Sequence, residues 1–259
     1  MKTLTVFETV ILHASDVLYW LDGTTAENAS DMERVPGAIE LEVSTAPSDL
    51  KLRHTPGRTA MWRRMGASIV AGEASVEELA RPAPDPFAFV ADVFDPRGRY
   101  NPRRLNLTAG SGEGHACVLY PSPSGTRLGR GGGVFGTLLF ADDGRPVAWA
   151  VLTLTVTTAL NVSLRFRAQA DKRGDFMIPL NRLPALPESI EDYTAQLELS
   201  ASASADADAP VDPADLVPMQ IGHFSNDDGF AVAVPLRVVP GEVRRLQSHG
   251  STHVSVLAA

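Results

Sequence analysis

Six histidines, one cysteine and 31 Asp and Glu side chains are the groups with which this chain of 259 residues would do chemistry. His249 and His253 stand four apart, the spacing at which a helix presents two imidazoles to one metal. The residues between them are Gly250-Ser251-Thr252 and the segment runs into a strand pattern, so no metal site is expected there. A nucleophilic serine sits on a sharp strand-to-helix turn of the form Gly-x-Ser-x-Gly. Gly110-Ser111-Gly112-Glu113-Gly114 comes nearest, but its spacing fails and no helix pattern follows, which leaves its glycines to a flexible connection. Gly129-Arg130-Gly131-Gly132-Gly133 lacks both the following helix and the Gly-Lys-Ser/Thr of a phosphate cradle. Asp142-Asp143 and Asp227-Asp228 each precede a glycine, where aspartate bonds its own backbone in a turn. Cys117, in the alternation His115-Ala116-Cys117-Val118-Leu119, reads as a buried and inert thiol; being the sole cysteine, it excludes an internal disulfide and a multi-cysteine zinc site. No catalytic, cofactor-binding or metal-ligating residue is assigned, and neither enzymatic activity nor a cofactor is expected.

Arginines carry the partner chemistry instead, because a guanidinium recognises carboxylates at interfaces. Arg58, Arg63, Arg64, Arg97, Arg99, Arg103 and Arg104, interleaved with Trp62 and Tyr100, are expected to stud one end of an N-terminal module, with Arg97, Arg99, Arg103 and Arg104 as the candidate interface. From Ala46 to Arg130 there are 12 Lys and Arg against 8 Asp and Glu, whereas Leu183 to Leu236 holds 10 acids and no Lys or Arg. This polarity suits contact with acidic surface on another subunit or on a copy of the same chain, although two ordinary solvated faces would also produce it. A net charge of -8 argues against a general nucleic-acid or anionic-membrane binder. No apolar run is long enough to insert in a bilayer, and the start, Leu4 to Ala14, is interrupted by Glu8 and His13 and has a strand pattern rather than that of a signal peptide.

The elements that must position these residues are strands, since apolar side chains recur with period two. Ile39, Leu41 and Val43 alternate with glutamates, Leu152, Leu154 and Val156 with threonines, Leu164 and Phe166 with arginines, and Leu197 and Leu199 flank Glu198. Each series is expected to bury one face. In the longest, Phe230 to Val238, Pro235 lies on the opposite face and marks an edge strand or a bulge. Turn dipeptides at Asp22-Gly23, Asp143-Gly144, Arg173-Gly174 and Asp228-Gly229 separate the runs, and the best helical stretch is only Ser75 to Ala80. The class expected is all-β, with two β-sandwich domains of the immunoglobulin or transthyretin kind. The first (1–119) would use strands near Thr5–Leu12, Val17–Leu21, Ala38–Ser44, Asp49–His54, Ser68–Ala71, Phe87–Phe94 and Arg104–Thr108. A Gly/Ser/Pro-rich linker (120–133) leads to the second (134–259), in which the Ala/Ser/Asp-rich run 200–215 reads as a mobile loop. Val134–Ala141 and Val147–Val156 are expected to pair as a hairpin through Asp143-Gly144.

Within that second region, Val134 to Val156 carries Gly136, Asp143, Gly144, Pro146, Ala150 and Val151 in the order strand, Asp-Gly-x-Pro turn, Ala-x-Val strand, and Asp171 to Phe176 supplies an Asp-x-x-Gly-x-Phe phrase with Gly174 and Phe176. In these residues the chain resembles the carboxypeptidase-regulatory-like, transthyretin-like β-sandwich. The wider layout, an N-terminal β module, the phrase Asp95 to Tyr100, a Ser/Pro-rich connection and then this sandwich, resembles proteins of phage-tail-like contractile injection systems. That resemblance implies a non-enzymatic tail or baseplate component whose partners are other subunits or copies of itself, assembled in the cytoplasm and then part of a particle. A carbohydrate- or surface-binding accessory protein is the alternative.

Overall fold

The computed structural model describes residues 16–63, 86–225 and 229–258. It is all-β, with no α-helix among the described residues and none long and apolar enough to cross a membrane. The expected strands Thr5–Leu12 and Ser68–Ala71, the helical stretch Ser75–Ala80, Arg64 and Asp227-Asp228 lie outside the described residues.

The first part of the chain forms β1 (Asp16–Asp22), β2 (Glu40–Thr45), β3 (Leu50–Thr55), β4 (Arg58–Arg63), β5 (Phe87–Phe94), β6 (Arg103–Ala109) and β7 (Gly114–Leu119). They make a four-stranded sheet in the order β3-β4-β1-β7 and a three-stranded sheet β2-β5-β6. One apolar cluster lies between the sheets, with Leu18, Trp20, Met61, Cys117 and Leu119 from the first and Phe89, Ala91, Val93 and Leu105 from the second. The alternation in β5 is the clearest expression of period two: Phe87, Phe89, Ala91 and Val93 are buried while Ala88 is exposed. In β2 the expected burial of all three apolar residues is corrected. Ile39 is buried, Leu41 is half-buried and Val43 is exposed, because β2 is an edge strand whose register against β5 shifts at Val43/Thr45.

The remaining strands are β8 (Gly133–Phe140), β9 (Val151–Thr157), β10 (Ser163–Gln169), β11 (Asp175–Pro179), β12 (Tyr193–Ala201), β13 (Val217–Gly222), β14 (Phe230–Ala231), β15 (Ala233–Val238), β16 (Val243–Arg245) and β17 (Val254–Ala258). Hydrogen bonding runs β10-β9-β12-β13-β17-β8-β11, with β15 on β12, β14 on β13 and β16 on β8. The path curls around a second apolar cluster, to which Leu138, Leu152, Leu154, Phe166, Phe176, Leu197, Ile221, Val234 and Val256 contribute. Pro235 behaves as its missing N–H requires, since β15 pairs with β12 alone.

The expected hairpin through Asp143-Gly144 is only partly formed and is corrected. The turn closes, with Gly144 N donating to Phe140 O and Phe140 N to Arg145 O at 2.9 Å, and Leu139 bridges Pro146. Beyond Val147 the chain leaves: Trp149 takes φ 60, and β9 pairs with β10 and β12 instead. The antiparallel neighbour of β8 is β11, which brings Phe176 opposite Gly136. A Cβ at position 136 would press on the Phe176 ring at 3.1 Å and on Leu246 O at 3.0 Å, so glycine makes room for the aromatic side chain. The Asp171 carboxylate accepts from Arg173 N (2.8 Å) and Asp175 N (3.1 Å), and Gly174 follows at φ 79 before Phe176 enters the core.

Candidate functional site

The two apolar clusters meet along a polar seam, to which Arg103 and Arg104 contribute bonds. Arg58 and Arg63 do not join them: both stand on β4, Arg58 bonded to Thr55 and Arg63 to Asp49. Asp95-Pro96-Arg97-Gly98-Arg99-Tyr100 folds around its own carboxylate: Asp95 accepts from Arg97 N and Arg99 N, both at 3.0 Å, and Gly98 N closes on Asp95 O at 2.8 Å. The turn leaves Arg97 exposed and sets the Arg99 guanidinium against Asp95, with Nε 3.5 Å from Oδ2. Arg104 makes a two-pronged bond to Asp92 on the neighbouring strand, at 2.8 and 3.0 Å, and the hydrogen bond raises the Arg104 pKa. Arg103 turns inward. It donates to Val118 O at 2.8 Å and to Asp212 at 2.9 Å, so the basic end of the chain finds one acid of the acidic stretch within the same molecule.

Asp212 holds the run 200–215 in place. Besides Arg103 it accepts from Asn106 N (3.2 Å) and Ala214 N (3.1 Å), Arg104 N reaches Val211 O at 2.9 Å, and the Trp149 indole donates to Asp206 O at 3.1 Å. Other bonds span the same seam. Buried Asn101 donates to Gln169 O and Ala170 O, and Glu27 accepts from Arg165 N at 2.8 Å; within the second region Arg182 donates to Arg165 O. Those last two bonds occupy the outer backbone groups of β10 at its middle, which would otherwise be open to a further strand.

Segment 120–133 is bonded along most of its length. Ser122 N donates to Arg99 O and its hydroxyl to Gly98 O, both at 2.8 Å; Gly125 N and Thr126 N return to Ser122 O; Gly133 N donates to Glu242 O. A Cβ on Gly125 would overlap the Arg99 carbonyl, so this close approach needs glycine. A cleft of about 450 Å³ opens between this segment, Asp22, Thr24, Arg99 and Tyr100 on one side and Pro179 and Asn181 on the other. Inside it Asp22 is fully engaged, accepting from the Tyr100 hydroxyl at 2.8 Å and from Thr24 N (2.9 Å) and Oγ1 (2.6 Å). Burial, and then the Asp22 carboxylate, push the Tyr100 phenol well above its usual range and keep it a donor.

The glycine loop 110–114 wraps a carboxylate rather than forming a loose connection. Gly110 at φ 105 and Gly112 at φ 79 curve it so that Gly110 N and Glu113 N donate to buried Asp16, and His115 Nε2 stands 3.3 Å from the same group. Ser111 is exposed and takes no part. His249 and His253 flank a turn before β17, and no group of three or more His, Cys, Asp or Glu able to hold a metal occurs among the described residues. Burial pushes the Cys117 thiol up to about 12. The folded protein is therefore expected to resist iodoacetamide at pH 8 and to be alkylated only after denaturation; rapid labelling of native protein would contradict this environment.

Away from the seam, the turn joining β9 to β10 carries apolar side chains into solvent. Thr158 N and Oγ1 both donate to Val162 O, at 2.9 and 3.0 Å, Asn161 takes φ 56, and Leu160 and Val162 are 85% and 51% exposed. Nothing in the alternation singled these residues out, because they stand outside the strands. Comparison with family models, curated proteins and solved structures finds no match to this chain.

Proposed function

We propose that the chain is a non-catalytic structural or assembly subunit of a phage-tail-like contractile injection particle, built from two β-sandwiches (about 1–119 and 134–259) joined by segment 120–133. The observation that carries this reading is the stiff β9–β10 tip with Leu160 and Val162 in solvent, a shape suited to seating in an apolar pocket of a neighbouring subunit. The residues resembling the carboxypeptidase-regulatory-like sandwich support the fold half of the proposal, since Gly144 closes a turn and Gly174 and Phe176 enter the core as that pattern requires. The seam supports a spacer role by bonding the two regions at several points. Of the candidate interface arginines, Arg97 and Arg104 are exposed, but Arg104 is bonded to Asp92 and Arg103 to Asp212 within the chain, so Arg97 is left to a partner. The protein would assemble inside the producing cell and leave as part of the particle.

The test is Leu160→Ser with Val162→Ser. Both side chains lie outside the apolar clusters, so thermal unfolding should be unchanged. Content of the chain in purified particles should fall roughly tenfold or more, the loss expected when an apolar anchor is removed. Normal stoichiometry in the particle, or a wild-type protein that never co-purifies with sheath and tube, would end the proposal.

A further inference from the structure

We propose that the cleft between segment 120–127 and Asn181 is a binding site for an anionic sugar, its phosphate or carboxylate held by Arg99 and Arg127 and its hydroxyls by Thr24 and Thr126. This goes beyond the assembly reading and does not depend on it.

The single carboxylate lining the cleft, Asp22, already accepts three hydrogen bonds, from Tyr100 and from Thr24. Those bonds occupy the Asp22 oxygens, and Arg127 with the accessible edge of Arg99 faces a ligand. Arg127 is exposed and its side chain makes no hydrogen bond or ion pair among the described residues. Arg99 keeps Nε and Nη2 shielded from solvent, Nε 3.5 Å from Asp95 Oδ2 and Nη2 beside Gly37, so the guanidinium offers the cleft its accessible Nη1 edge. The Nη1 edge of one guanidinium beside a second, unpaired guanidinium is suited to an oxyanion.

The hydroxyls decide what carries the oxyanion. Thr24 Oγ1 donates its proton to Asp22 and Thr126 Oγ1 donates to Ser122 O, so toward the cleft both oxygens are acceptors. Asn181 accepts from Gly129 N through Oδ1, which leaves its amide N–H groups as donors. Acceptors are of no use to a bare anion and suit ligand O–H groups. An oxyanion borne on a polyhydroxyl body satisfies both sets, and the volume is right for one sugar ring with its charged substituent. The walls are held before any ligand arrives, by the Asp95 turn and the Ser122 bonds, so little ordering is needed on binding.

The experiment is calorimetric titration of the full chain, at low ionic strength, with glucose 6-phosphate, glucuronate, glucose, inorganic phosphate and polygalacturonate. At least one anionic sugar should bind, with glucose and inorganic phosphate each about tenfold weaker or worse, the loss expected on removing a charge-assisted hydrogen bond or the hydroxyl contacts. Arg127→Ala should weaken that binding about tenfold or more with unchanged thermal unfolding, while Arg97→Ala, exposed and outside the cleft, should leave it within about twofold. A monomer binding best identifies a free sugar anion as the source, and the polymer binding best identifies an acidic polysaccharide. No binding by any anionic sugar, equal binding of glucose or of inorganic phosphate, or an Arg127→Ala variant that binds normally would each overturn the assignment.

Discussion

Replacing Asp212 by alanine is expected to destabilise the folded chain by about 3 kcal/mol, the scale measured when one partner of a buried ion pair is removed. The side chains of Arg103 and Asp212 are only 12% and 8% exposed, so the truncation leaves a guanidinium out of water with its carboxylate gone. It also strips the acceptor from Asn106 N and Ala214 N. Asn106 N and Ala214 N bond different oxygens of the carboxylate, so Asp212→Asn keeps an acceptor for only one of them while losing the charge, and should cost less than Asp212→Ala. The comparison that isolates burial is Asp192, whose bond to Arg237 is 3.0 Å against 2.9 Å for Arg103 to Asp212, but with the two side chains 33% and 63% exposed. Asp192→Ala should cost within about 0.5 kcal/mol, as exposed pairs do. Urea unfolding of the three variants, each at matched ionic strength, gives the values. An Asp212→Ala variant as stable as Asp192→Ala would show that segment 200–215 is not fastened through this carboxylate.

The second large effect is expected at Gly174. Gly144 and Gly174 both adopt left-handed backbone, at φ 70 and φ 79, so alanine pays a conformational penalty of about 1 kcal/mol at either. Their surroundings differ. A Cβ on Gly144 meets nothing within 4 Å, whereas one on Gly174 would overlap the carbonyl oxygen of Leu138, which is backbone in β8, a strand paired on both sides. That oxygen cannot move without disturbing the bond from Val147 N, and Leu138 N is itself bonded to Gly174 O at 2.8 Å. Gly174→Ala is therefore expected to lose about 2–4 kcal/mol in total, the conformational term plus an overpacking term, against about 1 kcal/mol for Gly144→Ala. Equal losses at the two positions, measured by thermal unfolding, would mean that β8 yields at Leu138 and that the close approach is not a constraint.

Strand identity was legible wherever one face is apolar and the other polar, because period two is a local property: β5, β9 and β12 follow directly from their residues. So were the Asp-Gly and Asp-x-x-Gly turns, where the aspartate bonds a backbone N–H two residues on. Less visible was β4, whose hairpin with β3 turns at Gly57 with φ 73, and β7, which lies parallel to β1 and so has no adjoining turn to announce it. Partner choice could not be read locally at all. β8 and β9 flank a good hairpin turn yet part after Val147, since the apolar face of β9 is completed by β10 and β12 and the glycine at 136 suits Phe176 from β11.

The same distinction governs the polar residues. The order of residues along the chain determined that it has basic and acidic stretches, and the alternation around Cys117 that this thiol would be buried. Only the tertiary structure decided that Arg103 meets Asp212 across 109 residues and that Gly110 closes on Asp16 across 94. A buried carboxylate needs donors within about 3 Å, and which donors arrive depends on how two sheets stack rather than on any spacing along the chain. For the same reason the glycines of 110–114 read as slack in the sequence and are part of a tight carboxylate-binding loop in the fold: positive φ at Gly110 and Gly112 curves the loop so that Gly110 N and Glu113 N point inward, but only β1 places Asp16 there to receive them.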